Sequence, residues 1–266
     1  MPISHAELKK LRSLRTDKGR QRAGVFVAEG VRLLEEALRF EHWPAALYYT
    51  PSLISDRGRR LVDTFKAREL RIREISAVNM RRVSGVTAPQ GILGVFAMPD
   101  VRLSELYTPE HRNILLCENI SDPGNVGTLC RSALAFSFDL IVLTGSCADP
   151  FSPKVVRASM GAVFGLPIAV APPPEIEALA ERENISVIAT SPRGGDTLER
   201  ALVQIKRAPL MLAVGSEADG LSENLLARAH YRVRIPHSPR AESLNSAVAG
   251  SIVMMECFER RIRSPK

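Results

Sequence analysis

The chain has 266 residues, 45% of them hydrophobic, and a formal net charge of +7, which is apolar content enough for two modest cores and makes two domains the expectation. It holds no run of about 18 uncharged apolar residues, and no apolar signal stretch follows the Lys/Arg-rich N-terminus, so a membrane or secreted protein is set aside and a soluble, cytoplasmic one is expected. Cys117, Cys130, Cys147 and Cys257 stand at irregular spacing without a CxxC or CxxxC pair; neither a metal site nor a disulfide framework is expected of them.

Residues 1–100 carry 18 Lys and Arg against 11 Asp and Glu, whereas residues 101–266 carry 18 of each. The whole excess therefore sits in the first part, and a phosphate backbone is the natural partner for so segregated a field. This part reads as a small α/β domain. A basic helix spans 6–14 and an amphipathic one 31–40, with short apolar strands at 46–49 and 93–96. The polar text DVRLSELYTPEH from Asp100 to His111 reads as a linker over 101–110.

From residue 111 the pattern changes. Short, β-branched, nearly continuous apolar runs at 114–117, 140–143, 167–170, 187–190, 210–214 and 232–235 suit strands buried on both faces. Helical patterns lie between and after them, at 126–136, 153–160, 175–182, 199–205, 223–229 and 244–260. Strand and helix alternating in this way imply a parallel α/β sheet.

Ligands of open parallel sheets bind outside the carboxyl ends of the strands, so the strand-to-helix loops hold the candidate chemistry. Three stand out: SDPGNVGTLCR over 121–131, GSEADGLS over 215–222 and AESLNSAVAG over 241–250. In the first, Asn125 is placed to cap a helix on which Arg131 lies about 9 Å further along. The second combines turn glycines with a carboxylate, Glu217. The third opens the last helix with Ser243 and Asn245, followed by small residues. Taken singly, each is ordinary turn and cap chemistry.

Together, in order, spacing and wording, the three loops resemble the signature motifs of the SpoU/TrmH family of RNA ribose methyltransferases, part of the SPOUT superfamily. The stretches FSPKVVRASMGAVFGLP (151–167) and VTAPQGILGVF (86–96) extend the resemblance over nearly the whole chain. It implies a front domain of L30e-like fold that binds the RNA substrate (1–100), and a catalytic domain (111–266) whose C-terminal segment threads a deep trefoil knot. It further implies S-adenosylmethionine as cofactor and a homodimer whose active sites combine loops of both protomers. Two positions depart from the family pattern: Ser137 where Gly is usual, and Ser246 where an apolar residue is common.

By motif match, Arg131, Asn125, Glu217, Ser243 and Asn245 form the catalytic set. An arginine stays protonated below a pH of about 12, so Arg131 is read as binding the phosphate beside the target ribose and lowering the hydroxyl pKa by its charge; a base role is left open only if that contact assists proton loss. Thr190, Gly195, Val214, Gly215, Ile235, Ser243, Leu244 and Asn245 match the cofactor pocket, largely through backbone. RNA contacts are expected from Lys9, Lys10, Arg12, Arg15, Lys18, Arg20 and Arg22, from Arg32 in VAEGVR, from Arg131, and from Lys154 and Arg157. Large-subunit ribosomal RNA is the expected substrate; transfer RNA and a catalytically silent, ribosome-associated RNA-binding role stay as alternatives. An ordinary doubly wound nucleotide-binding enzyme is excluded, since the chain has neither GxGxxG nor a Gly-rich loop ending in Lys-Ser/Thr.

Overall fold

The computed structural model describes residues 3–68, 70–191, 195–205 and 208–263. It divides into two compact units, Met1–Asp100 with Asp149–Gly165, and Val101–Ala148 with Leu166–Lys266.

In the first unit the hydroxyls of Ser4 and Thr16 cap α1 (His5–Ser13) and α2 (Asp17–Ala23), each accepting from a backbone N–H in the first turn. Gly24, at φ 61°, turns the chain into β1 (Val25–Glu29). There follow α3 (Val31–Arg39), β2 (Ala46–Tyr49), α4 (Asp56–Lys66), β3 (Ile72–Glu74), α5 (Ala77–Val83) and β4 (Ile92–Ala97). The sheet order is β1-β4-β2-β3, with β4 antiparallel to both neighbours and β3 parallel to β2. Alternation along β4 sends Leu93 and Val95 to the face that α1 and α5 cover with Leu8, Leu11, Met80 and Val83. On the other face Gly94 lets α3 approach, because a Cβ there would lie 2.8 Å from Leu34. The VTAPQG phrase closes the start of α3, where Gln90 Oε1 accepts from Val31 N at 3.0 Å.

The second unit begins with α6 (Leu103–Leu106), and here the expectation of a linker over 101–110 is corrected. Leu103 and Tyr107 are buried in the core with Leu140, Val142, Ala169 and Ile176, because apolar residues one helical turn apart form a packing stripe inside polar text. The chain continues through β5 (Asn113–Glu118), α7 (Pro123–Ala135), β6 (Leu140–Thr144), α8 (Pro153–Ala158), α9 (Ala162–Gly165), β7 (Ile168–Val170), α10 (Pro173–Arg182), β8 (Ser186–Thr190), α11 (Leu198–Ile205), β9 (Leu210–Val214), α12 (Glu223–Arg228), β10 (Tyr231–Val233) and α13 (Ser246–Arg263). The sheet is parallel throughout, in the order β10-β8-β9-β5-β6-β7, as the apolar runs predict. From β5 the connections proceed toward β7, and from β9 toward β10. The strand order therefore reverses between β5 and β9, where a parallel sheet opens a crevice at its carboxyl edge.

The last helix returns to this centre. Gly250 lets α13 lie against α7 and β9: a Cβ there would come within 2.6 Å of Leu129 and 3.1 Å of Val214. Ser132 and Ser251 hydroxyls meet at 2.7 Å across the same contact. Ser137 adopts φ 54° just after α7, a left-handed conformation natural to glycine, which gives the physical reason for glycine at that place in the family pattern.

A second correction concerns 149–165, read as part of the catalytic domain. This segment packs with residues 1–100, where Phe151 and Phe164 join Phe26 and Phe96 in one aromatic cluster with ring centroids 4.8–5.8 Å apart. Asp149 pairs with Arg20, and Arg20 also donates to Leu14 O at 3.0 Å. Arg20 is only 2% exposed, so it is a structural cation and leaves the set of RNA contacts.

Candidate active site

The first loop is shaped by Asp122 and Pro123. Proline at the first helical position brings a fixed φ and no N–H to satisfy, and Asp122 Oδ1 accepts from Asn125 N at 2.8 Å. Asp122 is therefore the cap, and Asn125 lies inside the first turn of α7. This corrects the expected capping role and leaves the Asn125 side chain for another partner. It donates from Nδ2 to Glu217 Oε1 at 2.6 Å.

The third loop does use its asparagine as a cap. Asn245 Oδ1 accepts from Ala247 N and Val248 N at 3.0 and 3.2 Å, which fixes the Asn245 amide at the mouth of α13. Its Nδ2 donates to Glu217 Oε1 at 2.5 Å and to Asn125 Oδ1 at 3.1 Å. Ser246, buried, donates to the same Glu217 oxygen at 3.5 Å, so the hydroxyl that departs from the family pattern joins the polar cluster. One carboxylate oxygen thus binds the three loops together, and among the described residues Glu217 Oε2 has no hydrogen bond. Ser243 is exposed and is not part of this network.

The second loop owes its shape to its glycines and to a residue that the motif reading missed. Ser216 and Gly220 exchange backbone hydrogen bonds at 3.1 and 3.0 Å, and a Cβ on Gly215 would lie 2.2 Å from Gly220 C. Beyond this turn Ser222 donates from N and Oγ to Glu118 at 2.7 and 2.8 Å. Glu118 is buried at the end of β5, and in the sequence its signal is an acid closing an otherwise apolar strand, a group that must be hydrogen-bonded if buried. Glu118→Ala leaves two polar groups of Ser222 without that partner, at a cost of about 1–3 kcal/mol. The expected result is a lower melting temperature and a loss on the order of 10²-fold in turnover as Glu217 loses its placement, measured by calorimetry and steady-state kinetics; unchanged values would remove Glu118 from the site.

Arg131 is exposed two turns along α7 and has no ion pair with another described residue. The positions matched to the cofactor gather at the carboxyl ends of adjacent strands. Thr190 ends β8 and donates from Oγ1 to Ala213 O of β9 at 3.0 Å; Val214 ends β9 and leads into Gly215. Gly195, at φ 110°, passes so close to β10 that a Cβ would meet Arg232 O at 2.5 Å. Ile235 follows β10, its carbonyl 2.9 Å from His237 Nδ1, and half-buried Leu244 precedes Asn245. These glycine-edged turns at the strand ends fit a ligand held mainly by backbone groups.

Of the proposed RNA contacts, Lys9, Lys10, Arg12, Arg15, Lys18, Arg22, Arg32 and Lys154 are exposed and Arg157 is half-buried. Lys154 and Arg157 lie on α8, within the first unit. Among the described residues no group of three or more His, Cys, Asp or Glu could hold a metal ion, and no helix is long and apolar enough to cross a membrane.

A parallel sheet whose order reverses between β5 and β9, with three interlocked loops at that point, is of the class of α/β proteins that bind ligands at the carboxyl ends of their strands. Residues 112–255 match the model of the SpoU rRNA Methylase family, and residues 5–94 match the MRM3-like substrate binding domain. An uncharacterized tRNA/rRNA methyltransferase of Synechocystis is 32% identical over 94% of this chain and 89% of its own length. The 23S rRNA guanosine 2′-O-methyltransferase RlmP of Bacillus subtilis is 27% identical over 93% of this chain and 94% of its own. The crystal structure of the SpoU methyltransferase AviRb of Streptomyces viridochromogenes, in complex with the cofactor AdoMet, superposes with a TM-score of 0.84 at 27% identity, covering 98% of this chain and 100% of that one. The chain belongs to the SpoU rRNA methylase family.

Proposed function

We propose that this protein transfers the methyl group of S-adenosylmethionine to a ribose 2′-hydroxyl in large-subunit ribosomal RNA. The observation that carries the reading is the single Glu217 oxygen shared by Asn125 and Asn245, which locks the three motif loops into one crevice. The cofactor-bound AviRb structure and the 23S rRNA substrate in the name of RlmP support the cofactor and the substrate.

The cofactor, when bound, supplies a methyl group on a positively charged sulfur. The protein's part is to align the acceptor oxygen and ease loss of its proton. Backbone of Gly215, Ile235 and Leu244 and the end of β8 at Thr190 would hold the cofactor, with Gly195 and Val214 shaping the same edge and Ser243 beside them. Arg131 would bind the phosphate next to the target ribose, where its charge stabilises the alkoxide. Glu217 and the two asparagines position the loops that hold both partners. The family also implies the trefoil thread of the C-terminal segment, consistent with the return of α13 from the β10 edge to α7 and β9.

Val248, Met255 and Ile262 are exposed at intervals of seven along α13, so they form one apolar stripe on its outer side. A second copy of the chain covers this stripe in the proposed homodimer. Met255→Glu is expected to shift the protein from dimer to monomer in sedimentation equilibrium; a monomeric native protein would sink the pairing. The function itself is tested by mapping ribose methylation in total RNA with and without the protein, together with calorimetric titration of S-adenosylmethionine. No affinity for that cofactor, or an unchanged methylation map, overturns it.

A further inference from the structure

We infer that the first unit grips RNA through the face built by α1, α2 and α5, and not through the face of α3 and α4. The inference rests on the RNA methyltransferase reading and adds the surface. Net charge does not separate the two faces, since both are rich in Lys and Arg; the state of those cations does.

On the α3–α4 face four of the six cations, all but Arg32 and Arg60, are already engaged. Arg57 reaches Glu35 with two hydrogen bonds at 2.6 and 2.5 Å, Arg39 meets Glu36 at 3.3 Å, Arg59 meets Asp56 at 3.8 Å and Lys66 meets Asp63 at 3.0 Å. A face so paired projects little field, and each phosphate it bound would displace a carboxylate already in place.

The opposite face is arranged in the reverse sense. α1 packs beside α2 and α5, so the exposed members of the N-terminal basic run share one surface with Arg81 and Arg82 of α5. None of these cations makes an ion pair with another described residue. The two acids on these helices are taken up elsewhere: Glu7 by Tyr48 at 2.6 Å and Arg71 at 3.0 Å, and Asp17 by the structural Arg20 at 3.8 Å. Unpaired like charges on one face repel one another, and a polyanion relieves that repulsion while releasing its own counterions. Val78 is the only exposed large apolar side chain among the described residues of these three helices. A membrane-surface helix needs an apolar face as well as a basic one, so the chemistry favours RNA over a lipid surface. Arg81 and Arg82 were not visible as RNA ligands in the sequence, because they join the basic run only through the packing of α5 on α1.

The test uses the full-length protein and unmodified large-subunit ribosomal RNA, with affinity followed by fluorescence anisotropy across a salt series. One variant carries Lys10→Ala, Arg12→Ala, Lys18→Ala and Arg82→Ala; the other carries Arg39→Ala, Arg57→Ala, Arg59→Ala and Lys66→Ala. Both remove four positive charges, so net charge alone moves them equally. The first set is expected to weaken binding about 100-fold near 0.1 M salt and to flatten the slope of log K against log salt by about three, at roughly 0.7–0.9 per lost phosphate contact. The second set is expected to change the slope by less than about one, with cofactor affinity unchanged in both. An equal or larger loss in the second set overturns the inference, as does wild-type affinity in the first. Capture of wild-type protein by phosphatidylserine vesicles, lost in the first set while RNA affinity holds, overturns it as well. Failure of the wild-type protein to bind this RNA at all strikes the methyltransferase reading itself.

Discussion

Arg131→Ala is expected to lower kcat/KM for RNA by about 10³-fold or more while leaving the Kd for S-adenosylmethionine within about threefold, because stabilising charge that develops in the transition state is the largest catalytic contribution such a residue makes. The structure places Arg131 on an exposed surface of α7, outside the Glu217 network, so its removal disturbs no hydrogen bond of the three loops. A guanidinium offers five donors and no acceptor, which suits an anchor for a phosphate and a nearby alkoxide better than a proton acceptor. Arg131→Lys should recover only part of the rate, since an ammonium offers a point charge without the planar fork that grips a phosphate in two places. Single-turnover methyl transfer gives the rate and calorimetric titration gives cofactor affinity. A tenfold or greater loss of cofactor binding with RNA affinity intact would move Arg131 to the cofactor side and sink the phosphate assignment.

The second unit's sheet is written plainly in the sequence. Its central strands β5, β6 and β9 are buried on both faces and appear as unbroken apolar runs, while the edge strands β7 and β10 are short and partly exposed; the predicted strands correspond in position to β5 through β10. The first unit is less legible, for local reasons. β3 is three residues long with two of them charged, and the apolar VFVA of β1 follows a basic helix after a single glycine, so no turn signal longer than that sets it off; α4 is mostly charged letters with Leu61, Val62 and Phe65 as its buried apolar side chains. Asp122 and Asn125 are both good capping residues three positions apart, and only the place of Pro123 decides between them. The meeting of Asn125, Glu217 and Asn245 joins residues up to 120 positions apart, which no spacing rule reaches. The family resemblance named these residues, and the structure supplied the contact. Arg20 shows the converse limit: within a run of surface cations nothing in the sequence marks the one that turns inward, because its partner, Asp149, lies 129 residues away.

That distant partner leads to the second large expected effect. Residues 1–100 expressed alone should melt at least about 10 °C below the first unit of the intact chain, since they lack Asp149 and the buried Phe151 and Phe164 that close the aromatic cluster over Phe26 and Phe96. Burying a Phe side chain stabilises by about 1.5–3 kcal/mol, and leaving a buried charge without its partner costs about 3–5 kcal/mol. A unit of this size shifts its Tm by roughly 4–8 °C per kcal/mol, so either loss alone is large enough to measure. Asp149→Ala in the intact chain separates the two, because it orphans Arg20 and keeps the aromatic cluster. Differential scanning calorimetry of the fragment, the variant and the intact chain decides the matter, and a fragment as stable as the intact unit would show that 149–165 contributes nothing to it. The functional consequence follows from chain path. The polypeptide enters the first unit at Asp149 and leaves it after Gly165, inside the stretch that matches the methylase family model. The first unit is therefore completed by sequence that belongs to the methylase family match, and a swap of substrate-binding domains between relatives should succeed only when the donor's counterpart of 149–165 travels with it.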